Sequence, residues 1–272
     1  MVSDDKNASI YFRFQKIGFK LPREHGLTAI GIVAVLLGIG FSFTGEIEFI
    51  GLLLTLFFSV VVILGSDSTM STIKRKFSSI NLVPGVMIIL TAILIVTWKP
   101  IWQVFFIFFI LTIMTIAWMI FAYKSKKLSP LELVFGAVAL SMLASLVFVV
   151  SSTVIEITYF VKVLAFNWIF IGVTVLLILY VESLRNKVNP YFPLGTWIIF
   201  LISFLFLIMF QVLPVISLIA IIEPTTLGIY QGWKKEIIKK SNKPIKTVGM
   251  QLLVRLFLFA CLILFLIPFM FI

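Results

Sequence analysis

Charged residues are scarce in this chain. Asp, Glu, Lys and Arg together make up 12% of its 272 residues, whereas 61% are hydrophobic. A soluble domain cannot bury so large an apolar fraction, and a helix needs about 20 apolar residues to cross a bilayer. The apolar runs therefore predict an all-α, polytopic transmembrane helix bundle with about nine spans. They leave no room for separate soluble domains.

The chain also lacks the residues on which several functions depend. It has one histidine and one cysteine, so neither zinc-ligand spacing nor an intramolecular disulfide is available. Walker A and serine-nucleophile motifs are missing as well, and together these absences argue against ATP hydrolysis and zinc proteolysis. The net charge of +11 would suggest nucleic acid for a soluble protein. In a membrane protein topology explains it, so we expect the lipid bilayer as a partner and no nucleic acid.

The distribution of charge predicts the topology. Residues 1–26 form a basic cytoplasmic segment, and residues 27–272 form a single transmembrane bundle domain. The first apolar run lies too far from the start for a cleavable signal peptide, which predicts a retained first helix. With nine spans and a cytoplasmic N-terminus, most cations fall inside, leaving Lys99 and Lys162 outside. We therefore predict a multi-pass protein of the inner cell membrane.

Local signals predict two helix boundaries. Serine followed by proline, with glutamate three positions after the serine, is typical of a helix start. Ser129, Pro130 and Glu132 have this spacing, so Glu132 is predicted to cap the fifth span. Gln211 and Pro214 interrupt a long apolar run, which we divide there into two helices.

Most of the other polar residues fall at cytoplasmic helix ends in this topology. The outer loops hold little beyond Glu46, Glu48 and Glu156. A membrane protein with one elaborate polar face is predicted to have its site on that face. The candidate residues are Arg23, Glu24, His25, Asp67, Lys74, Arg75, Glu182, Arg185, Glu223 and Arg255.

One interpretation of these residues is catalytic. Asp67 and Glu182 end the second and sixth spans and would hold Mg²⁺, which is often bound by only one or two protein carboxylates. Such a site would ionise an allylic diphosphate and pass its lipid tail to an acceptor, while the metal stabilises the leaving group. The diphosphate would be clamped by nearby cations, with fork-shaped guanidinium groups among them. These are Arg23, Lys74, Arg75 and Arg185.

A second interpretation is structural or transport-related. Glu24 would pair with a basic loop, Arg255 would pair with Glu223, and His25 would cap the start of the first helix. Glu223 and Arg255 lie deepest in apolar sequence, where charges are costly and tend to be functional. The alternative function is therefore a transporter or binding protein for an anionic lipid or metabolite, without catalysis.

The segment from Pro22 to Gly26, which leads directly into the first span, resembles the opening motif of YwiC-like membrane proteins. The segments from Tyr180 to Arg185 and from Glu223 to Gly228 are similar in position to later motifs of that family. The resemblance covers most of the chain and implies a multi-pass bacterial or archaeal membrane protein.

The nine-span plan also resembles the UbiA superfamily of intramembrane prenyltransferases. Members carry two aspartate-rich motifs, at the ends of spans two and six, that hold Mg²⁺ and a prenyl diphosphate. Asp67 matches the first aspartate of the first motif, and Glu182 matches the leading acid of the second. The resemblance implies a transferase that acts on a prenyl or other lipid diphosphate.

Overall fold

The computed structural model describes residues 25–74, 83–124, 129–153, 155–185, 187–189, 191–233 and 245–270. Within these ranges the chain is all-helical, which confirms the all-α part of the predicted fold class, and a 3₁₀ turn at Val215–Ser217 precedes α9. The helices are α1 (His25–Ser42), α2 (Phe49–Lys74), α3 (Val83–Trp98), α4 (Trp102–Lys124), α5 (Pro130–Ser141), α6 (Leu143–Ser151), α7 (Ile157–Leu184), α8 (Phe192–Met209), α9 (Leu218–Trp233) and α10 (Ile245–Met270).

Both predicted helix boundaries are confirmed. The Ser129 hydroxyl accepts a hydrogen bond from the backbone N–H of Glu132, whose carboxylate accepts one from the N–H of Ser129, so the capping box is complete. The apolar run divides where expected, because α8 ends at Met209 and Gln211 adopts a positive φ of 57°. Pro214 then precedes the 3₁₀ turn that leads into α9.

Two features depart from the expected helix pattern. The sequence predicts that the second span ends near Asp67, but α2 continues to Lys74. No proline interrupts this polar stretch, so backbone hydrogen bonding continues past the apolar sequence. The fifth span is divided into α5 and α6 at Met142, although the two segments together form one apolar rod.

Five helical segments of the described chain are long and apolar enough to cross a membrane. They are Trp102–Tyr123, Pro130–Ser151, Ile157–Leu184, Phe192–Met209 and Met250–Phe269. Four shorter apolar segments accompany them: Gly26–Ser42, Phe49–Gly65, Val83–Trp98 and Val215–Leu227. These segments indicate a membrane protein. The count of nine spans and the orientation of the N-terminus stay predictions.

The centre of the bundle is formed by α6 and α7. Every residue of α6 is buried, and α1, α2, α4 and α7 pack around it. Close approach depends on glycine, because a Cβ on Gly38 would lie 2.6 Å from the carbonyl oxygen of Ala144. A Cβ on Gly51 would overlap the carbonyl oxygen of Val150. Small residues at such crossings let membrane helices approach closely.

Polar side chains also link α6 to α7 within this apolar centre. The Asn167 amide donates a hydrogen bond of 2.9 Å to the Ser145 hydroxyl, and both residues are buried. One turn nearer the break in the rod, the hydroxyls of Ser141 and Thr174 lie 3.5 Å apart. These pairs show that the rod Pro130–Ser151 runs antiparallel to α7.

We call the side of the bundle where α1 begins and α7 ends the N-terminal side, and the other side the opposite side. A polar network joins three turns on the opposite side. Lys99 Nζ lies 3.1 Å from Glu48 Oε2, and the same ammonium group donates hydrogen bonds to the carbonyl oxygens of Val150 and Ser152. The Trp98 indole donates to Glu48 Oε1 at 2.8 Å. The sequence interpretation gave little weight to this side of the protein.

Candidate functional site

The predicted site residues fall into two groups. The structure describes the side chains of Glu182, Arg185, Glu223 and Arg255. Of the other predicted residues, Arg23, Glu24 and Arg75 lie outside the described residues. For the remaining three the structure describes the backbone: His25 begins α1, and Asp67 and Lys74 lie in the last turns of α2.

Glu182 is the centre of a charged cluster where α7 ends, which we call the Glu182 cluster; its other members are Arg185 and Lys187. The carboxylate is buried, with its side chain 1% exposed. Arg185 Nη1 donates a hydrogen bond of 2.7 Å to Glu182 Oε1. Lys187 Nζ lies 2.9 Å from Oε2 as an ion pair. That contact lies outside hydrogen-bond geometry, and Oε2 accepts no hydrogen bond from any residue that the structure describes.

The backbone at the end of α7 brings these three side chains together. Arg185 is three positions after Glu182 and donates its backbone N–H to Val181, so it stays on the same helix face. The chain then turns back, and the Lys187 N–H donates to the carbonyl oxygen of Glu182 at 3.0 Å. That turn carries the lysine side chain to the carboxylate from outside the helix.

The Glu182 cluster carries one negative and two positive charges. The Arg185 and Lys187 side chains are 31% and 38% exposed, so both contact Glu182 and both remain partly accessible at the surface. A helix C-terminus contributes about half a negative charge, which is less than the net positive charge of the three side chains. The arrangement is therefore suited to holding an anion.

The same geometry does not fit a metal ligand at Glu182. A Mg²⁺ bound to either oxygen would lie close to the guanidinium or the ammonium group, and repulsion between these cations would be strong in a partly buried site. Among the described residues there is also no group of three or more His, Cys, Asp or Glu that could hold a metal. Glu182 is therefore not suited to be a metal ligand. A contribution of Asp67 to Mg²⁺ binding stays a prediction.

Glu223 and Arg255 form a separate ion pair between α9 and α10. Arg255 Nη1 donates to Glu223 Oε1 at 2.8 Å, so the predicted contact between these residues is present. Their side chains are 45% (Glu223) and 43% (Arg255) exposed. Arg255 lies five residues inside the apolar segment Met250–Phe269, or about 7.5 Å along the helix axis. The pair thus lies near the edge of the apolar layer.

Two groups of polar residues were missed by sequence reasoning. Lys187 belongs to the Glu182 cluster, but its contact depends on a turn after the helix, and helical spacing does not predict it. Glu48 and Lys99 pair between two different turns, 51 positions apart in sequence. The sequence offered one indication that these two residues pair, namely their opposite charges next to helix ends.

The fold and these sites define an all-helical membrane protein with a cationic cluster on its N-terminal side. Comparison of the chain with protein-family profiles, with curated proteins and with solved structures finds no match.

Proposed function

We propose that the protein binds the phosphate or diphosphate group of a membrane lipid on the N-terminal side of the bundle and acts on it as a UbiA-like transferase. One observation carries the proposal: a buried carboxylate, Glu182, pairs with two partly exposed cations, Arg185 and Lys187. The same proposal includes membership of the YwiC-like family. It also includes nine spans, with a cytoplasmic N-terminus, in the inner membrane.

The two cations suit a phosphate group for different reasons. A guanidinium group presents a planar fork of donors that matches phosphate oxygens, whereas an ammonium group acts as a compact point charge. Both side chains would lose conformational freedom on binding. Glu182 reduces that loss because it already restricts them in the free protein. Its role in this proposal is to position the cations.

In the proposed reaction the carbon–oxygen bond of an allylic diphosphate breaks, and its electron pair leaves with the diphosphate. The allylic cation forms a new bond to an acceptor nucleophile, which loses a proton to water. Arg185 and Lys187 stabilise the negative charge that develops on the leaving group. Asp67, Arg23, Lys74 and Arg75 are proposed to contact the same diphosphate from the first helices, with Mg²⁺ near Asp67.

Binding of farnesyl diphosphate to the detergent-purified full chain tests this proposal. Native mass spectrometry should show one bound molecule, and Arg185→Gln or Lys187→Gln should each weaken binding about tenfold or more, as expected for a lost charged hydrogen bond. Lys162→Gln is the matched control, because it removes the same charge near the other end of α7. Equal losses in all three variants, or no binding to the wild type, would contradict the proposal.

Transfer is tested separately from binding. The purified protein in liposomes should release diphosphate from farnesyl diphosphate when membrane extract supplies acceptors, and Arg185→Gln should slow this release. If the protein binds farnesyl diphosphate but releases no diphosphate with any extract, the transferase proposal is wrong. The protein would then be a lipid-phosphate binding protein.

The ion pair between Glu223 and Arg255 favours a second candidate function. Ionisable residues within membrane-spanning segments often mark transport pathways, and Arg255 lies inside the apolar segment Met250–Phe269. A transporter for an anionic lipid or metabolite would lose flux in liposomes on Glu223→Gln and would retain it on Arg185→Gln. The transferase proposal predicts the reverse dependence for diphosphate release.

A further inference from the structure

A cavity of about 370 Å³ lies among α2, α3, α4 and α5. Its size falls within the range of about 300–1,000 Å³ that is common for ligand pockets. It arises because α3 packs chiefly on α2 and α4 packs chiefly on α5, so these two consecutive helices spread apart beyond the turn that joins them. None of its lining residues belongs to the Glu182 cluster.

The cavity opens sideways between α3 and α4. Three isoleucines that line it are also exposed on the outer surface of the bundle: Ile89 and Ile93 on α3 are 61% and 53% exposed, and Ile116 on α4 is 47% exposed. In a bundle embedded in a membrane, this surface faces lipid. Among the residues that the structure describes, no charged side chain lines the cavity. A molecule that enters by this route is therefore neutral and largely hydrocarbon where it contacts the protein.

Two hydrogen-bond donors interrupt this apolar lining. Thr115 and Trp118 lie three positions apart on α4, hence on the same helix face, and both line the cavity. Neither makes a hydrogen bond to any residue in the described part of the chain. Thr112, by contrast, donates to the carbonyl oxygen of Phe108. Donors left unsatisfied in an apolar environment are costly, so a ligand with an acceptor oxygen would be stabilised here.

Gly136 on α5 keeps the donor edge of the indole uncovered. A Cβ at this position would lie 3.4 Å from Trp118 Nε1 and 3.7 Å from Cδ1. Alanine would therefore just touch the ring, whereas leucine would occupy the space beside the N–H. Gly136→Leu is therefore a variant that fills the cavity beside the Trp118 N–H.

We propose that this cavity binds a neutral membrane lipid whose hydrocarbon chain lies between α3 and α4. A carbonyl oxygen of that lipid accepts hydrogen bonds from Trp118 Nε1 and Thr115 Oγ1. The ester of a glycerolipid and the ring carbonyl of an isoprenoid quinone share this chemistry. The proposal is independent of the phosphate site, because the two sites have no residue in common.

Photolabelling of the full chain in phosphatidylcholine liposomes tests the site. Two probes are used, a diacylglycerol with a diazirine in one acyl chain and a quinone with a diazirine in its isoprenoid tail. At least one probe should label lining residues of α3 and α4. Competition by unlabelled dioleoylglycerol or decylubiquinone then identifies the source of the carbonyl. Labelling confined to residues outside the cavity, or labelling that neither competitor reduces, would overturn the proposal.

Variants test the hydrogen bond and the space separately. Trp118→Phe should lower the affinity for the probe about fivefold, as expected for the loss of a neutral hydrogen bond. Trp168→Phe on the surface of α7 should leave this affinity unchanged. Gly136→Leu should abolish cavity labelling, with Gly195→Leu as control, because a Cβ at Gly195 meets no atom within 4 Å.

Ala92→Leu fills the cavity from α3 and replaces Gly136→Leu if that variant fails to fold. Full labelling in a folded variant that fills the cavity would overturn the proposal. Equal weakening by the two tryptophan variants would do so as well.

Discussion

Lys99 Nζ lies 3.1 Å from Glu48 Oε2 and thereby joins the turn between α3 and α4 to the turn between α1 and α2. The lysine side chain is only 11% exposed. Its remaining hydrogen bonds go to carbonyl oxygens of Val150 and Ser152 at the end of α6. One cation therefore stabilises the C-terminus of the central helix and connects it to two neighbouring turns.

Removal of this cation should destabilise the whole bundle. We expect Lys99→Met to lower the free energy of unfolding by roughly 2 kcal/mol, because Glu48 and two carbonyl oxygens lose a partner in a partly buried site. Thermal unfolding in detergent measures the effect. In a double-mutant cycle with Glu48→Gln, the combined loss should be smaller than the sum of the single losses. Strict additivity would show that the ion pair contributes nothing.

The contact between Gly51 and α6 predicts a sharper effect. Gly51→Ala would drive a methyl group into the carbonyl oxygen of Val150, which belongs to backbone and cannot rotate away. We expect a loss of about 3 kcal/mol or more, with little folded protein recovered. Gly45→Ala is the control, since a Cβ at Gly45 meets nothing within 4 Å. Similar yields of the two variants in size-exclusion chromatography would contradict this account of the packing.

The Glu223–Arg255 pair predicts a characteristic pattern of mutant stabilities. Glu223→Gln or Arg255→Met alone leaves one charge unpaired near the apolar layer, where a lone charge costs up to about 3 kcal/mol. The double variant leaves no charge at all, so it should unfold at a higher temperature than either single variant. A double variant less stable than both single variants would show that the pair is not the main partner of either charge.

Much of the helix pattern was predictable because it depends on local chemistry. Long apolar runs indicate the helices, and the capping residues Ser129 and Glu132 mark the start of α5. The break at Met142 was not predicted, since the sequence around it is as apolar as the rest of the rod. The extension of α2 to Lys74 was also missed, because polar composition indicates the edge of the membrane and does not end a helix.

The site was predictable only in part. The acid at Glu182 and the base at Arg185 were singled out from their position, and their separation by three residues matches the observed contact. The role of Glu182 could not be derived from sequence, because it depends on which cations surround the carboxylate. Lys187 reaches it through the turn after α7, and its side-chain contact follows from tertiary geometry. The surroundings of the Trp118 indole N–H also depend on tertiary packing, because they are set by α5, so the sequence could not predict them.

The central claim is that Glu182 positions two cations for a lipid phosphate. The most direct measurement is the affinity of the full chain for farnesyl diphosphate in the wild type and in Glu182→Gln, each with Mg²⁺ and with a chelator. The neutral amide keeps the shape but releases Arg185 and Lys187, so we expect weaker binding by about tenfold, by the same factor with and without Mg²⁺. Unchanged affinity, or a loss seen only when Mg²⁺ is present, would contradict this role. The second result would indicate that Glu182 binds the metal ion.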